Sequence, residues 1–288
     1  MMKICFDPAL SYDSGQGGLR IRYACRGGSI EYTFLHSVAT EKNCDIWRMS
    51  VVNALDEKGE LLRSLTKKYA EWEMAIRLKD RPDFIGGFNH GDEVGQTPLF
   101  ILDGETVLHE DLTEWREFSG LEISMDSAGF DPASPEKKVL SHHKEYLYDE
   151  DGVHLSQEVT WLTGEELDSR LKSYLAMMPP LKHDPKNAED VLTDSFAFGG
   201  ELFPIGALPV EKRDAREITV AGEKSGYAFT MAVSDYAPLY PNSYLAFVTD
   251  NGNLNYNKMY FSFGGGSADE VPAGTVWRAK THYRIEKK

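Results

Sequence analysis

Apolar and polar residues alternate with a period of two along most of this chain, and the alternating segments are short and divided by Gly, Asn and Asp turns. That pattern predicts antiparallel strands, because successive side chains of a strand point to opposite faces. The clearest case is 276–285. One face reads Trp277, Ala279, Thr281, Tyr283 and Ile285, and the other Val276, Arg278, Lys280, His282 and Arg284. Residues 139–161 read as a hairpin with its turn at Asp149-Glu150-Asp151-Gly152 and a return face of Val153, Leu155, Gln157, Val159 and Trp161. Further strands are predicted at 18–24, 29–35, 46–52, 99–102, 227–233, 244–249 and 259–263.

In 70–79, Ala70, Trp72, Met74, Ile76 and Leu78 alternate with Glu71, Glu73, Ala75, Arg77 and Lys79. Helical propensity is good there, but the period is two, and a strand is predicted. Residues 60–66 could form a helical turn, and 163–167, where Thr163 precedes two acids, could open a short helix. Gly264-Gly265-Gly266-Ser267 reads as a turn. The sum is an all-β chain: a large antiparallel β-sandwich with few short helices. At 288 residues it is expected to be a single domain, 1–288, with a soft boundary near 179–190, where Pro179, Pro180 and Pro185 interrupt the pattern.

Composition narrows the partners. Hydrophobic residues make up 41% and charged residues 27%, as in ordinary folded proteins. The net charge of −15 repels nucleic acid and anionic membrane surfaces, so neither is an expected partner. Cys5, Cys25 and Cys44 lack CxxC spacing and are odd in number, which fits reduced thiols. No signal-like or membrane-spanning apolar stretch is present, which predicts a cytoplasmic protein as written, or a secreted or periplasmic one had a signal been removed. Walker A, dinucleotide-binding, G-x-S-x-G and H-E-x-x-H patterns are absent.

Three segments could carry chemistry. The first is Asp83-Phe84-Ile85-Gly86-Gly87-Phe88-Asn89-His90-Gly91-Asp92-Glu93, which packs an amide, an imidazole and two carboxylates between glycines. Here His90 is a candidate general acid or base, Glu93 or Asp92 its partner, and Asn89 a ligand for a sugar hydroxyl or carboxylate. A tight polar turn between strands accounts for the same residues. No metal is expected, since His90, Asp92 and Glu93 follow no ligand spacing; a structural Ca²⁺ at the carboxylates is the one alternative, and no cofactor is implied. The second is 141–148, where His142, Lys144, Tyr146 and Tyr148 share one strand face and His143, Glu145 and Leu147 the other. Val139 and Leu147 suggest that the His143 face points inward and leaves the His142 face wet or lining a groove. An ordinary solvent-facing strand would look the same. The third is 253–260, where Asn255, Tyr256 and Lys258 supply amide, aromatic face and cation for a sugar; turns and strand faces also use such residues.

The run of hairpins, with Trp161-Leu162 followed by Ser173-Tyr174-Leu175-Ala176-Met177-Met178-Pro179, resembles the galactose-mutarotase-like supersandwich class, which includes aldose epimerases and the sheet domains of several polysaccharide lyases and glycoside hydrolases. That resemblance covers about two-thirds of the chain and implies an architecture rather than an activity. The His-Pro-Tyr-Phe context usual in aldose epimerases is missing. The resemblance to polysaccharide lyases implies a His or Tyr base and an Asn, Arg or Lys that neutralises a uronate. His90, His142, Tyr146, Asn89 and Lys258 are of those types. The leading expectation is therefore β-elimination on a uronate-containing glycan, with catalytic His90, Tyr146, His142 and Glu93 and substrate-binding Asn89, Asp92, Lys144, Lys258, Tyr256 and Asn255. A glycoside hydrolase using two of Asp92, Glu93, Glu73, Glu145 and Glu201, an aldose epimerase, and a non-catalytic glycan-binding sandwich are the alternatives.

Overall fold

The computed structural model describes residues 1–10, 17–205, 210–265 and 270–288. It is built almost entirely of antiparallel strands, and the two layers meet through large aromatic residues. The first meander runs Met2–Asp7, Gly18–Cys25, Gly28–Ala39 and Cys44–Leu55, each strand paired with the next. The short strand Glu93–Gly95 lies parallel to the start of Cys44–Leu55 and antiparallel to Leu121–Asp131, so it stitches this meander to a second one. That second run continues through Ser134–Asp149, Gly152–Trp161, Val276–Lys287, Tyr227–Ala237, Glu217–Ala221 and Ser195–Phe198.

A separate sheet is formed by Lys172–Met178, Tyr256–Gly265, Ala246–Asn251 and Val210–Lys212. Its inner face, including Phe261 and Phe263, joins the common core, where Phe263 lies 4.7 Å from the ring of Trp277 and 4.8 Å from that of Tyr236. Trp72, Trp161 and Trp277 are fully enclosed. Truncating any one of them to Ala would cost about 3–5 kcal/mol, so these rings lock the layers.

The all-β expectation holds, and the hairpin turns where expected, with Asp149 opposite Gly152. The last strand buries Trp277, Ala279, Thr281, Tyr283 and Ile285 as the alternation required, and it lies between two partners. Several local expectations change. Leu61–Ser64 is a strand beside Cys44–Leu55, because the Asp56–Glu60 turn sends the chain back along its neighbour. At 163–167 the Thr163 hydroxyl bonds the Glu165 carboxylate, and Glu165–Glu166 pairs with Glu270–Val271 instead of starting a helix. Segment 70–79 is not the strand expected: it bends at Trp72 and Glu73 and joins its neighbours through single bridges, Ala75 to Tyr174, Ile76 to Ile85 and Leu78 to Leu167, and through the Met177 amide on the Trp72 carbonyl. The strands Met2–Asp7 and Leu121–Asp131 were not foreseen. Pro180 and Leu181 are bridged to Thr66 and Tyr256. Part of the Gly264-Gly265-Gly266-Ser267 turn, residues 266–267, lies outside the described residues.

The largest correction concerns 141–148. Between Gly129 and Phe130 the pairing partner jumps from Leu140 to Lys138, so Val139 is an extra residue and the alternation changes phase there. Parity counted from Val139 is therefore wrong by one. Leu140, His142, Lys144, Tyr146 and Tyr148 all point into the core, while Leu147 is exposed.

Candidate functional site

The chemistry gathers around the turn at 86–91. Gly87–His90 makes a single helical turn, closed by the Gly91 amide donating to the Gly87 carbonyl at 3.0 Å. Gly87 has φ of +69°, and a Cβ built there would sit 2.5 Å from Cγ of Glu71. Glycine is thus needed twice, for the backbone and for the close approach of a buried carboxylate. At the end of the turn, His90 Nδ1 lies 2.7 Å from Asp83 Oδ1, and its ring leans on Phe84 with centroids 4.9 Å apart. An ionised Asp83 can only accept, so it draws the proton to Nδ1 and leaves Nε2 with the lone pair. Nε2 is 3.8 Å from Glu71 Oε2, beyond hydrogen-bond reach, and the side chain is 20% exposed.

Glu71 is itself committed. Its Oε2 takes a 2.8 Å bond from Lys258 Nζ, and both residues are buried. Burial pushes the Glu71 carboxyl up, but the charge and hydrogen bond of the Lys258 ammonium outweigh it and hold it below the usual range. Glu71 therefore stays ionised, and Lys258 is spent on it. Lys258 also faces the Tyr260 ring at 5.2 Å, and Tyr260 begins a row of half-buried rings on the outer face of the four-stranded sheet. Tyr174 lies 4.7 Å from Tyr260, and Phe247 stacks on Tyr260 at 4.9 Å with planes 14° apart. Lys172 closes the row over Phe247. A face of this kind offers flat π surface to the C–H side of a sugar ring, with Tyr256 on the same strand as a hydroxyl partner.

Below the turn sits a buried polar layer. Glu93 Oε2 accepts the Gly87 amide at 3.0 Å, and Oε1 accepts Ser127 Oγ at 2.7 Å and Lys144 Nζ at 3.0 Å. Burial pushes this carboxyl up, yet the Lys144 ammonium, helped by the Gly87 N–H, holds it well below the usual range. His142 Nε2 meets Gln157 Oε1 at 3.1 Å, and Gln157 Nε2 donates to the Leu175 carbonyl at 2.5 Å. Since that carbonyl only accepts, the amide orientation is fixed and His142 must carry its proton on Nε2. Its Nδ1 is 3.4 Å from Glu93 Oε1, and burial pulls its pKa down. Beside this group Tyr146 donates to Glu73 Oε1 at 3.0 Å, and the Met49 amide does the same; burial, and then the Glu73 charge, push the phenol far up. Glu93 thus holds the His90 turn, and His142 is tied through Gln157 to the irregular stretch of Lys172–Met178 that presents Tyr174.

The sequence candidates therefore separate into three groups. His90, Lys258 and Tyr256 flank the turn and the aromatic face. Glu93, His142, Lys144 and Tyr146 lie beneath it, each 1% exposed or less. Their face is neither wet nor lining a groove. Asn89 is exposed and contributes its carbonyl to Lys42, and Asp92, with φ of +54°, anchors the turn through its backbone to Lys42 and Phe130. Asn255 clamps the backbone of His183 with both its amide atoms at 3.0 Å, a structural task. Among the described residues no group of three or more His, Cys, Asp or Glu side chains is placed to hold a metal ion. Glu145 and Glu201 lie on exposed surface.

Sequence reasoning missed Glu71, Asp83, Phe84, Tyr174 and Phe247. A signal for Glu71 existed: with Glu73 it interrupts a run, Ala70 to Ile76, that is otherwise wholly apolar. The surface depressions elsewhere are less suited to chemistry. One, framed by His143, Glu158, Asp235, Arg278 and Lys280, contains charges already satisfied, such as Arg278 on Glu158 at 2.9 Å.

The chain is a large antiparallel β-sandwich, and the imidazole–carboxylate turn with its aromatic sheet face is its candidate site. No family model matches the chain, and no curated protein does. Among solved structures it is similar to a galactose mutarotase-like protein from Clostridium acetobutylicum, with a TM-score of 0.53 and 8% identity over 99% of this chain and 98% of that one. At that identity the likeness is one of fold, and it agrees with the architecture expected from the sequence. No helix among the described residues is long and apolar enough to cross a membrane.

Proposed function

We propose that this protein is a carbohydrate-active enzyme that holds a sugar against Tyr174, Tyr260 and Phe247 and moves a proton through His90. The observation that carries this reading is the geometry at His90: Asp83 Oδ1 lies 2.7 Å from Nδ1 and Nε2 is 3.8 Å from Glu71, so the tautomer that Asp83 favours leaves the Nε2 lone pair uncommitted. A base so oriented can remove a weakly acidic proton next to a carbonyl or carboxylate. The reaction that fits first is β-elimination on a uronate-containing glycan: His90 takes the C5 proton, the electron pair closes the C4–C5 double bond, the C4–O4 bond breaks, and O4 leaves with a proton. Tyr256 is suited to supply that proton, since burial raises its pKa and keeps the phenol protonated. Glu93, His142, Lys144 and Tyr146 act in this reading as positioning residues beneath the turn. Lys258, expected from sequence as the carboxylate partner, bonds Glu71 at 2.8 Å and in this reading serves to neutralise it.

A second reading, aldose epimerisation, is favoured by the fold likeness to the galactose mutarotase-like protein. Two assays on wild type and His90→Ala separate the readings. A rise in absorbance near ~235 nm with uronate glycans, abolished by the substitution, supports elimination with His90 as base. Faster equilibration of aldose anomers by polarimetry, equally abolished, supports epimerisation instead. Neither signal, with glycan binding retained in both proteins, would reduce the site to a binding surface.

A further inference from the structure

Arginines in this chain are generally spent on carboxylates where they are half-buried. Arg20 bonds Asp7 and Glu31, Arg22 bonds Glu31, Arg63 bonds Asp190, and Arg81 grips Asp131 with two nitrogens at 2.5 and 2.8 Å. With 46 acidic against 31 basic residues, a guanidinium without an acid is unexpected. Arg77 is such a case. Its Nε is buried and has no hydrogen-bond partner, and no carboxylate among the described residues pairs with it. Asp168, which feels its charge, is turned instead to the amides of Arg170 and Leu171 at 2.7 and 2.9 Å.

Its position gives this meaning. Ala75 lies opposite Tyr174, so Arg77, two residues on, falls on the same side of the extended sheet, and its amide is held by Ser173 Oγ. The guanidinium sits over the Phe84 ring at 5.2 Å, and the same ring contacts His90 at 4.9 Å. The uncommitted cation and the uncommitted imidazole nitrogen thus share one aromatic neighbour beside the ring row. We propose that Arg77 receives a carboxylate borne by the sugar, which makes the ligand an acidic, hexuronate-containing saccharide.

This inference rests on the uronate reading above and adds the residue that receives the carboxylate. The planar fork of a guanidinium matches a carboxylate with two parallel hydrogen bonds. Neighbouring cations cannot share the task, since Lys258 is held by Glu71 and Lys172 by Glu211 at 3.3 Å. One free cation suits a monoanion, a carboxylate or a sulfate ester, better than a phosphate dianion. The net charge of −15 opposes an anionic ligand at long range, and local pairing at short range outweighs it once salt screens the field beyond about 10 Å.

The test is calorimetric titration of the full chain with three oligosaccharides of matched length, one neutral, one hexuronate-containing and one sulfated, for wild type, Arg77→Gln, Arg77→Lys and Tyr260→Ala. Circular dichroism establishes that each variant is folded. The expected result is that the hexuronate binds at least tenfold more tightly than the neutral sugar, and that Arg77→Gln erases this preference without changing neutral binding. Arg77→Lys should restore only part of it, and Tyr260→Ala should weaken both ligands. A hexuronate preference that persists in Arg77→Gln overturns the inference and leaves the uronate reading standing, whereas equal affinity for neutral and hexuronate sugars overturns both and leaves a sugar-binding site. Preference for the sulfated sugar over the hexuronate overturns the carboxylate assignment. Absence of binding to all three overturns the carbohydrate reading together with it.

Discussion

Replacing Lys144 by Met tests whether the buried layer under the His90 turn is held by charge pairing. Lys144 is 1% exposed and its Nζ is 3.0 Å from Glu93 Oε1, so Met fills a similar volume and removes only the charge. Glu93 would then keep Ser127 and the Gly87 amide but lose its cation, and an uncompensated buried charge costs about 3–5 kcal/mol. With an unfolding entropy of about 2.1 cal/mol/K per residue, ~0.6 kcal/mol/K for this chain, the melting temperature should fall by about 5–8 °C at pH 7. Thermal melts followed by circular dichroism measure it. Adding Glu93→Gln should restore at least half of the loss, because the amide keeps bonds to Gly87 and Ser127 without a charge to strand. The deficit should also narrow as the pH is lowered towards 4. In wild type the depressed Glu93 carboxyl contributes stability above its ordinary range, and that contribution fades on acidification; in the variant, protonation relieves the stranded charge. A loss under 2 °C, or a double variant no better than the single one, would refute the argument.

Gly87→Ala should destabilise by about 2–3 kcal/mol, since φ of +69° and the 2.5 Å approach to Glu71 both resist a methyl group; chemical denaturation measures this, and a neutral effect would mean that the turn shifts freely. Asp83→Asn should lower turnover by about 10²-fold or more with binding retained, because the amide can donate to Nδ1 and place the proton on Nε2; steady-state kinetics at saturating substrate would read it, and unchanged turnover removes Asp83 from the mechanism. Acid stability should fall steeply below about pH 4.5, where Glu71 and Glu93, both with depressed folded pKa, lose contributions that are complete above the ordinary carboxylate range. Glu93→Gln should flatten that slope in melts taken from pH 7 to pH 3, and an unaltered slope would assign the acid transition to other groups.

Period-two alternation was enough to determine the all-β class, the hairpin at 149–152 and the buried face of the last strand, because a half-buried strand writes its two environments directly into the order of its residues. The Asn89-His90 segment stood out in the sequence because glycines flank an amide, an imidazole and two carboxylates, though a tight polar turn accounts for the same residues. What alternation could not carry was phase across an irregularity. The extra residue at Val139 turned His142, Lys144 and Tyr146 inward, and only the pairing with Leu121–Asp131 reveals that. Long-range partners were equally hidden: Glu71 meets Lys258 across 187 positions of sequence, and Glu93 meets Lys144 across 51. Lys258 reads as a free cation and Arg77 as an ordinary surface one until their neighbours are known. Residue type supplies the charge, whereas the packing of distant strands decides which charges are cancelled and which remain available to a ligand.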